Sequence, residues 1–176
     1  MEKVDSSGNN NVAVEANGIL VIFVYIQIEN LREEIKILVD FLDEQKNNKM
    51  IIMGDFNANV KDPCKAWKFR TIEEEFMSRG ILQVEYNNRH LNTFHSHIGS
   101  STPDHIWCKN LKTEAIISEN YYLSDHALTI AKIQIGKDNN KKYIIKRSLK
   151  IPENLIHKQK EFSTNMENYF KKEELN

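Results

Sequence analysis

Apolar positions along this chain change rhythm several times, and each change marks an element. Residues 1–11 carry Ser, Gly and a run of Asn with no apolar period, and they are expected to be disordered. Regular patterning begins at Val12. Val12-Ala13-Val14-Glu15-Ala16, then Asn17-Gly18, then the apolar run over 19–28 predict a β-hairpin, because Asn-Gly supplies the two positive-φ positions of a type I′ turn. The second strand is apolar on both faces, so it is predicted to be central and covered on both sides, with Tyr25 near its end. Asn30 and Glu33 stand at capping-box spacing. Leu31, Ile35, Leu38 and Leu42 then recur at helical spacing up to Asp43, and the polar run over 45–49 ends that helix. Residues 50–53 follow as a strand. A strand–helix–strand unit crosses over right-handedly, which makes its two strands neighbours in one sheet.

Beyond residue 59 the pattern is more broken. Asp62-Pro63 marks a loop. Thr71 with Glu74 repeats the capping-box spacing and predicts a short helix over 72–79, stopped by Gly80. Residues 81–84 read as a strand and 87–90 as a turn. Thr93-Phe94 begins a short extended piece that Gly99-Ser100-Ser101 breaks. Alternation over 104–109 predicts a strand, with others over 114–118 and 127–135. A polar, basic linker spans 136–142. After Pro152, Leu155, Phe162, Met166 and Tyr169 lie on one side of a helix, expected to dock on the body or on a neighbour. The chain thus reads as α/β, with a body over 12–136 and a basic linker and amphipathic helix over 137–176.

A length of 176 residues allows one domain, and the 40% apolar and 28% charged content is that of a soluble globular protein. The run from Ile19 to Ile26 is too short to span a membrane, and no basic-then-apolar signal opens the chain. No membrane partner is expected, and the protein is expected to be intracellular. Cys64 and Cys108 lack metal-type spacing and read as reduced thiols. Net charge is −1, which argues against wholesale electrostatic binding to nucleic acid. The distribution is uneven: 19 acidic and 14 basic side chains up to residue 136, then 6 acidic and 10 basic. A basic tail beside an acidic body either helps hold a polyanion or is a solvated surface.

Candidate chemistry centres on Ile51-Ile52-Met53-Gly54-Asp55-Phe56-Asn57. Gly54 lets the backbone turn sharply after the strand. Asp55 and Asn57, two apart on an extended run, point to one side and suit a metal-bound water or a phosphate oxygen. The same residues also suit an ordinary Asx turn. Two further clusters stand at strand edges, Ser101-Thr102-Pro103-Asp104-His105-Ile106-Trp107 and Ser124-Asp125-His126.

Taken in that order, the three clusters resemble the endonuclease/exonuclease/phosphatase superfamily, metal-dependent phosphodiesterases that include apurinic endonucleases and DNase I-like enzymes. The Asp104-His105-Ile106-Trp107 form and the tail after the last strand are most similar to endonuclease domains encoded by non-LTR retrotransposons. The resemblance implies a four-layer α/β sandwich with its active site at one edge, where both sheets contribute loops. It implies that Tyr25 contacts the scissile phosphate, that Asp55 aligns or deprotonates the attacking water, and that Asn57 hydrogen-bonds a phosphate oxygen. Asp104 would pair with the catalytic imidazole, Asp125 would stand beside the metal, and His126 would sit on the phosphate. In-line hydrolysis builds negative charge on the non-bridging oxygens, and a divalent ion and a protonated His126 both stabilise it. A neighbouring carboxylate raises the pKa of that imidazole and keeps it charged. Mg²⁺, with Mn²⁺ as an alternative, is the implied metal, since one or two carboxylates suffice for it.

The resemblance covers residues 12–135. Family members carry a further half-domain before the strand of Tyr25, holding an asparagine and a metal-binding glutamate. The 24 residues before Tyr25 are too few for those elements, and no proline follows the tyrosine. The chain is therefore expected to be truncated on its N-terminal side, with weakened metal binding, impaired activity and a partner or missing half-domain to complete it. The implied function is Mg²⁺-dependent phosphodiester hydrolysis, nicking DNA, in the nucleus. A non-catalytic remnant that binds nucleic acid or protein, and a phosphatase or phospholipid phosphodiesterase of the same fold, are the other readings. His90, His95 and His97 lack partners at zinc-ligand spacing and suit polar contacts to nucleic acid. Trp67, Trp107 and Phe94 could stack on bases, although Trp107 alternates with Ile106 as a core residue does. The basic segment 141–150 is a further candidate for phosphate contact.

Overall fold

In the computed structural model, which describes residues 2–4, 10–59, 66–118, 124–134 and 143–146, the chain enters as β1 (Glu2–Val4), antiparallel to β2 (Asn11–Ala16). The expectation of disorder over 1–11 is corrected at 2–4 and at 11, which stand in strands, while 1 and 5–9 lie outside the described residues. Residues without an apolar rhythm still pair where an edge strand offers unpaired backbone groups. Asn17 (φ 54°) and Gly18 (φ 72°) make the expected turn into β3 (Ile19–Tyr25). Helix α1 (Leu31–Glu44) then crosses to β4 (Met50–Asp55), which lies parallel to β3. The capping box does not form. Asn30 makes no side-chain cap bond to the first turn, which carries Glu33 and Glu34, the latter accepting from Asn10 Nδ2 at 2.8 Å.

Gly54 does not turn the chain. It stays in β4, at φ 150°, where an added Cβ would lie 2.0 Å from the Val24 carbonyl oxygen of β3. The position needs glycine for close approach of two strands rather than for a turn.

Helix α2 (Ala66–Met77) begins five residues before Thr71, whose hydroxyl donates to Trp67 O inside the helix at 3.0 Å. The capping-box reading fails because Phe69, Ile72 and Phe76 share one buried face, so burial extends the helix through Thr71. Its end follows expectation. Gly80 (φ 70°) donates to Met77 O and Ile81 donates to Phe76 O, the paired bonds of a Schellman motif, with Ile81 and Phe76 both in the core.

The remaining strands are β5 (Leu82–Gln83), β6 (Phe94–Ser96), β7 (Gly99–Ser101), β8 (Asp104–Lys109), β9 (Lys112–Ile117), β10 (Thr129–Gln134) and β11 (Tyr143–Lys146). Gly99-Ser100-Ser101 is a return strand, not a break, because Gly99 takes φ 151° and lets β7 pair back onto β6. β11 pairs with β10 and extends the body past residue 136, into the segment read as linker and tail. The C-terminal amphipathic helix, most of the basic segment 141–150, and Cys64 lie outside the described residues.

Three sheets result: β1-β2-β3-β4-β8-β5, β11-β10-β9, and the β6-β7 hairpin. Side chains of the six-stranded sheet alternate between two cores. Leu20, Ile22, Val24, Met50, Ile52 and Trp107 face the helices. Ile19, Val21, Ile51, Met53 and Ile106 face Ala115, Ile117, Ala131 and Ile133 of the three-stranded sheet. The fold is an α/β sandwich. Of its four expected layers, the described residues build the helix layer and both sheets. Among them no helix is long and apolar enough to cross a membrane.

Candidate active site

Register places the first three candidate side chains abreast. Tyr25 of β3 pairs with Asp55 of β4, and Asp55 pairs with Asp104 of β8. Cα partners point the same way, so all three project from the end of the large sheet toward the smaller one. Asp55 and Asp104 are buried, at 4% and 0% exposure, whereas Tyr25 is half exposed at the rim.

The smaller sheet supplies His126 on the approach to β10. Its Nδ1 lies 2.9 Å from Asp104 Oδ2. An ionised carboxylate can only accept, so Nδ1 carries the proton and Nε2 is turned toward Asp55 Oδ2, 3.8 Å away. The ring is also held by Phe94, 4.9 Å between centroids. Thr93, which no motif marked, ties both sides together. Its hydroxyl accepts from the Asp104 amide at 3.3 Å, and its carbonyl accepts from the Ala127 amide at 2.7 Å.

Asn57 is not on an extended run. It takes φ 49°, and its amide donates to Asp55 Oδ1 at 2.8 Å, closing an Asx turn. The turn and the site are therefore one object, because the bend brings Asn57 over the carboxylate. Its side-chain Nδ2 donates to Ile26 O at 2.8 Å, which fixes the orientation of the amide at the cleft that Asn57 lines. That cleft, of about 520 Å³, is lined by Asn57, Asn59 and His126 and by residues of the β6–β7 hairpin.

Asp125 is exposed beside His126. Its carboxylate accepts from Ser124 Oγ at 3.2 Å, and its carbonyl accepts from the His95 amide at 2.8 Å. Thus Asp55, Asn57, Asp104 and His126 meet at one point, with Asp125 on the adjoining turn and Tyr25 at the edge. Among the described residues no group of three or more His, Cys, Asp or Glu side chains could hold a metal. The nearby donors are carboxylate and amide oxygens. They suit a hard divalent ion that keeps waters and takes phosphate oxygens, and they do not form a closed cage.

The stacking candidates separate by burial. Trp107 is fully buried among Phe56, Phe69 and Phe76 and cannot meet a base, whereas Trp67 is half exposed. His95 sits on the hairpin with Nδ1 2.9 Å from Ser100 Oγ. Cys108 is a free thiol, its pKa pushed up by burial.

His105 plays a different part from its neighbour in the Asp104-His105 pair. It faces the helices, fully buried, with Nε2 2.6 Å from Ala58 O and Nδ1 3.3 Å from Gln83 Nε2. It pins the loop that carries Asn57. Burial lowers its pKa below 6.5 and keeps the ring neutral. The unfolded chain takes up this proton below about pH 6.5 while the folded chain resists it, so stability is full above that pH and declines as pH falls. Urea midpoints between pH 7.5 and 5.5 should fall, and His105→Gln should flatten the slope. An equally steep slope in that variant would assign the effect elsewhere.

A family model described as endonuclease-reverse transcriptase matches residues 19–130, a span that includes every candidate residue above. No curated protein matches by sequence. Among solved structures, the endonuclease domain of TRAS1, a telomere-specific non-LTR retrotransposon, is similar at 16% identity and TM-score 0.57, over 72% of this chain and 62% of that one. A Staphylococcus aureus beta toxin mutant with bound magnesium ions is similar at 15% identity and TM-score 0.49, over 77% and 52%. A Bacteroides thetaiotaomicron mannosyl-6-phosphatase is similar at 18% identity and TM-score 0.42, over 66% and 51%. The chain spans about three-fifths of the length of the retrotransposon domain. With a sandwich of this topology and a family match across both sheets, the chain belongs to the endonuclease–reverse transcriptase family of the endonuclease/exonuclease/phosphatase superfamily.

Proposed function

We propose that this protein hydrolyses phosphodiester bonds with a divalent metal, Mg²⁺ or Mn²⁺, and that its substrate is DNA, nicked on one strand, which places its work in the nucleus. The observation that carries the reading is the part-buried Asp104–His126 pair, with the imidazole Nε2 3.8 Å from Asp55 Oδ2. Asp104 fixes the tautomer of His126 and offsets a positive charge on the ring, so Nε2 can hold a proton toward a phosphate oxygen. Asp55, oriented by the Asn57 amide, accepts a proton from the attacking water. The Asn57 side chain donates to a non-bridging oxygen, and Tyr25 closes the rim. Asp125 would hold the metal, which when bound supplies charge neutralisation for the phosphate.

Supercoiled plasmid, incubated with Mg²⁺ or with EDTA, tests this. Slow Mg²⁺-dependent nicking is expected, and Asp55→Ala should lower it at least about 10³-fold. No nicking by the folded chain alone would remove the reading of this chain as an enzyme that works without a partner, and would favour the second, non-catalytic reading. A second reading, a non-catalytic protein that binds nucleic acid or another protein, is favoured by the lack of a three-ligand metal group among the described residues. Under either reading, a half-domain from a partner could complete the metal site. Restoration of nicking by such a partner would place the chain as half of a composite enzyme.

A further inference from the structure

Lys68 has no part in the chemistry above, and its position is unusual. It is 9% exposed, yet it lines the cleft with Asn57, Asn59, Ser96, Ser101 and His126. Among the described residues no carboxylate lies within ion-pair distance of it. Its ammonium lies over the Trp67 ring, 5.9 Å from the centroid. It also occupies the first turn of α2, where the helix dipole repels a cation. A lysine this buried normally has a counter-charge. Here the groups sharing its cleft are chiefly amides and hydroxyls, which can bind an anion but do not neutralise a cation.

The position of Lys68 relative to the site is fixed. Phe69, the next residue, packs on His105 at 5.0 Å between centroids, and His105 donates to Ala58 O between Asn57 and Asn59. The first turn of α2 is thus tied to the loop that carries Asn57. We propose that Lys68 binds a backbone phosphate next to the one being cleaved. This rests on the reading of the cleft as a phosphodiester site. It makes the first turn of α2 part of the nucleic-acid groove and favours polynucleotides over small monoesters, which carry no second phosphate.

The test is equilibrium binding of a fluorescent DNA duplex to the full chain in EDTA, over a series of salt concentrations. Lys68→Gln should weaken binding about tenfold and lower the slope of log K against log salt by about 0.9, the loss of one phosphate contact. Lys68→Arg should keep the slope. If Lys68→Gln melts early, Lys68→Met, which preserves the packing of the stem, takes its place. An unchanged slope in a folded neutral variant would overturn the proposal while leaving the site intact. Failure of the unsubstituted chain to bind duplex at any salt concentration would overturn the reading on which the proposal rests, and the proposal with it.

Discussion

Asp104→Asn should abolish nearly all nicking while leaving the protein folded. The carboxylate does two things that an amide cannot do together. It accepts from His126 Nδ1 at 2.9 Å, and it carries the charge that stabilises a protonated ring. Asparagine can turn its NH₂ toward Nδ1, which forces the proton onto Nε2 in the neutral ring and removes the charge. For an acid that orients a catalytic imidazole, such a change costs about 10³- to 10⁴-fold in turnover. The backbone here is held independently, by Thr93 Oγ1 on the Asp104 amide and by the Tyr86 hydroxyl on its carbonyl at 3.1 Å. A melting curve near that of the parent should therefore accompany the loss, and single-turnover assays should place it in the chemical step. Turnover within tenfold of the parent would mean that the pair is structural.

Gly54→Ala should be the most destabilising single methyl in the core. Its Cβ would lie 2.0 Å from Val24 O and 3.0 Å from Val24 C and N, so it meets backbone on a central strand rather than a movable side chain. Relief requires β3 and β4 to separate, which breaks both cores and displaces Asp55 from Tyr25. A loss of about 3–5 kcal/mol is expected, with melting lowered by about 10 °C. Gly80→Ala is the natural comparison. Gly80 also has positive φ, at 70°, but an added Cβ meets nothing within 4 Å. Only the left-handed backbone penalty applies there, about 1–2 kcal/mol. Equal losses in urea titration would show that φ rather than strand approach sets the cost at Gly54.

Local signals in the sequence were legible where one physical effect dominated. Asn17-Gly18, the apolar strand over 19–25 and the α1 face all follow from turn chemistry and periodicity. Both capping boxes misled, since the spacing of a Thr or Asn and a Glu is cheap to produce by chance and says nothing of burial. Thr71 lies inside a helix whose length is set by Phe69, Ile72 and Phe76. Gly54 illustrates a second limit, because close approach to Val24 is a contact between strands that no local pattern records. The candidate residues could be picked out as motifs. What spacing could not give was their partners. It is register that sets Asp104 beside Asp55, and it is a bridge from the hairpin that sets His126 on Asp104. Thr93 and Lys68 carried no mark, since an isolated Thr or Lys matches no template.

The hairpin that walls the cleft is stitched, through residues 93–95, to the chain on either side of His126. The His95 amide donates to Asp125 O, the Ala127 amide donates to Thr93 O, and Phe94 lies against the imidazole between them. If His126 carries the proton as proposed, the wall and the proton carrier are expected to shift together. A nucleic-acid shape that forces the hairpin outward also swings His126 away from the phosphate. Such a substrate would still bind but would turn over slowly, so discrimination among DNA shapes would be written in kcat more than in KM.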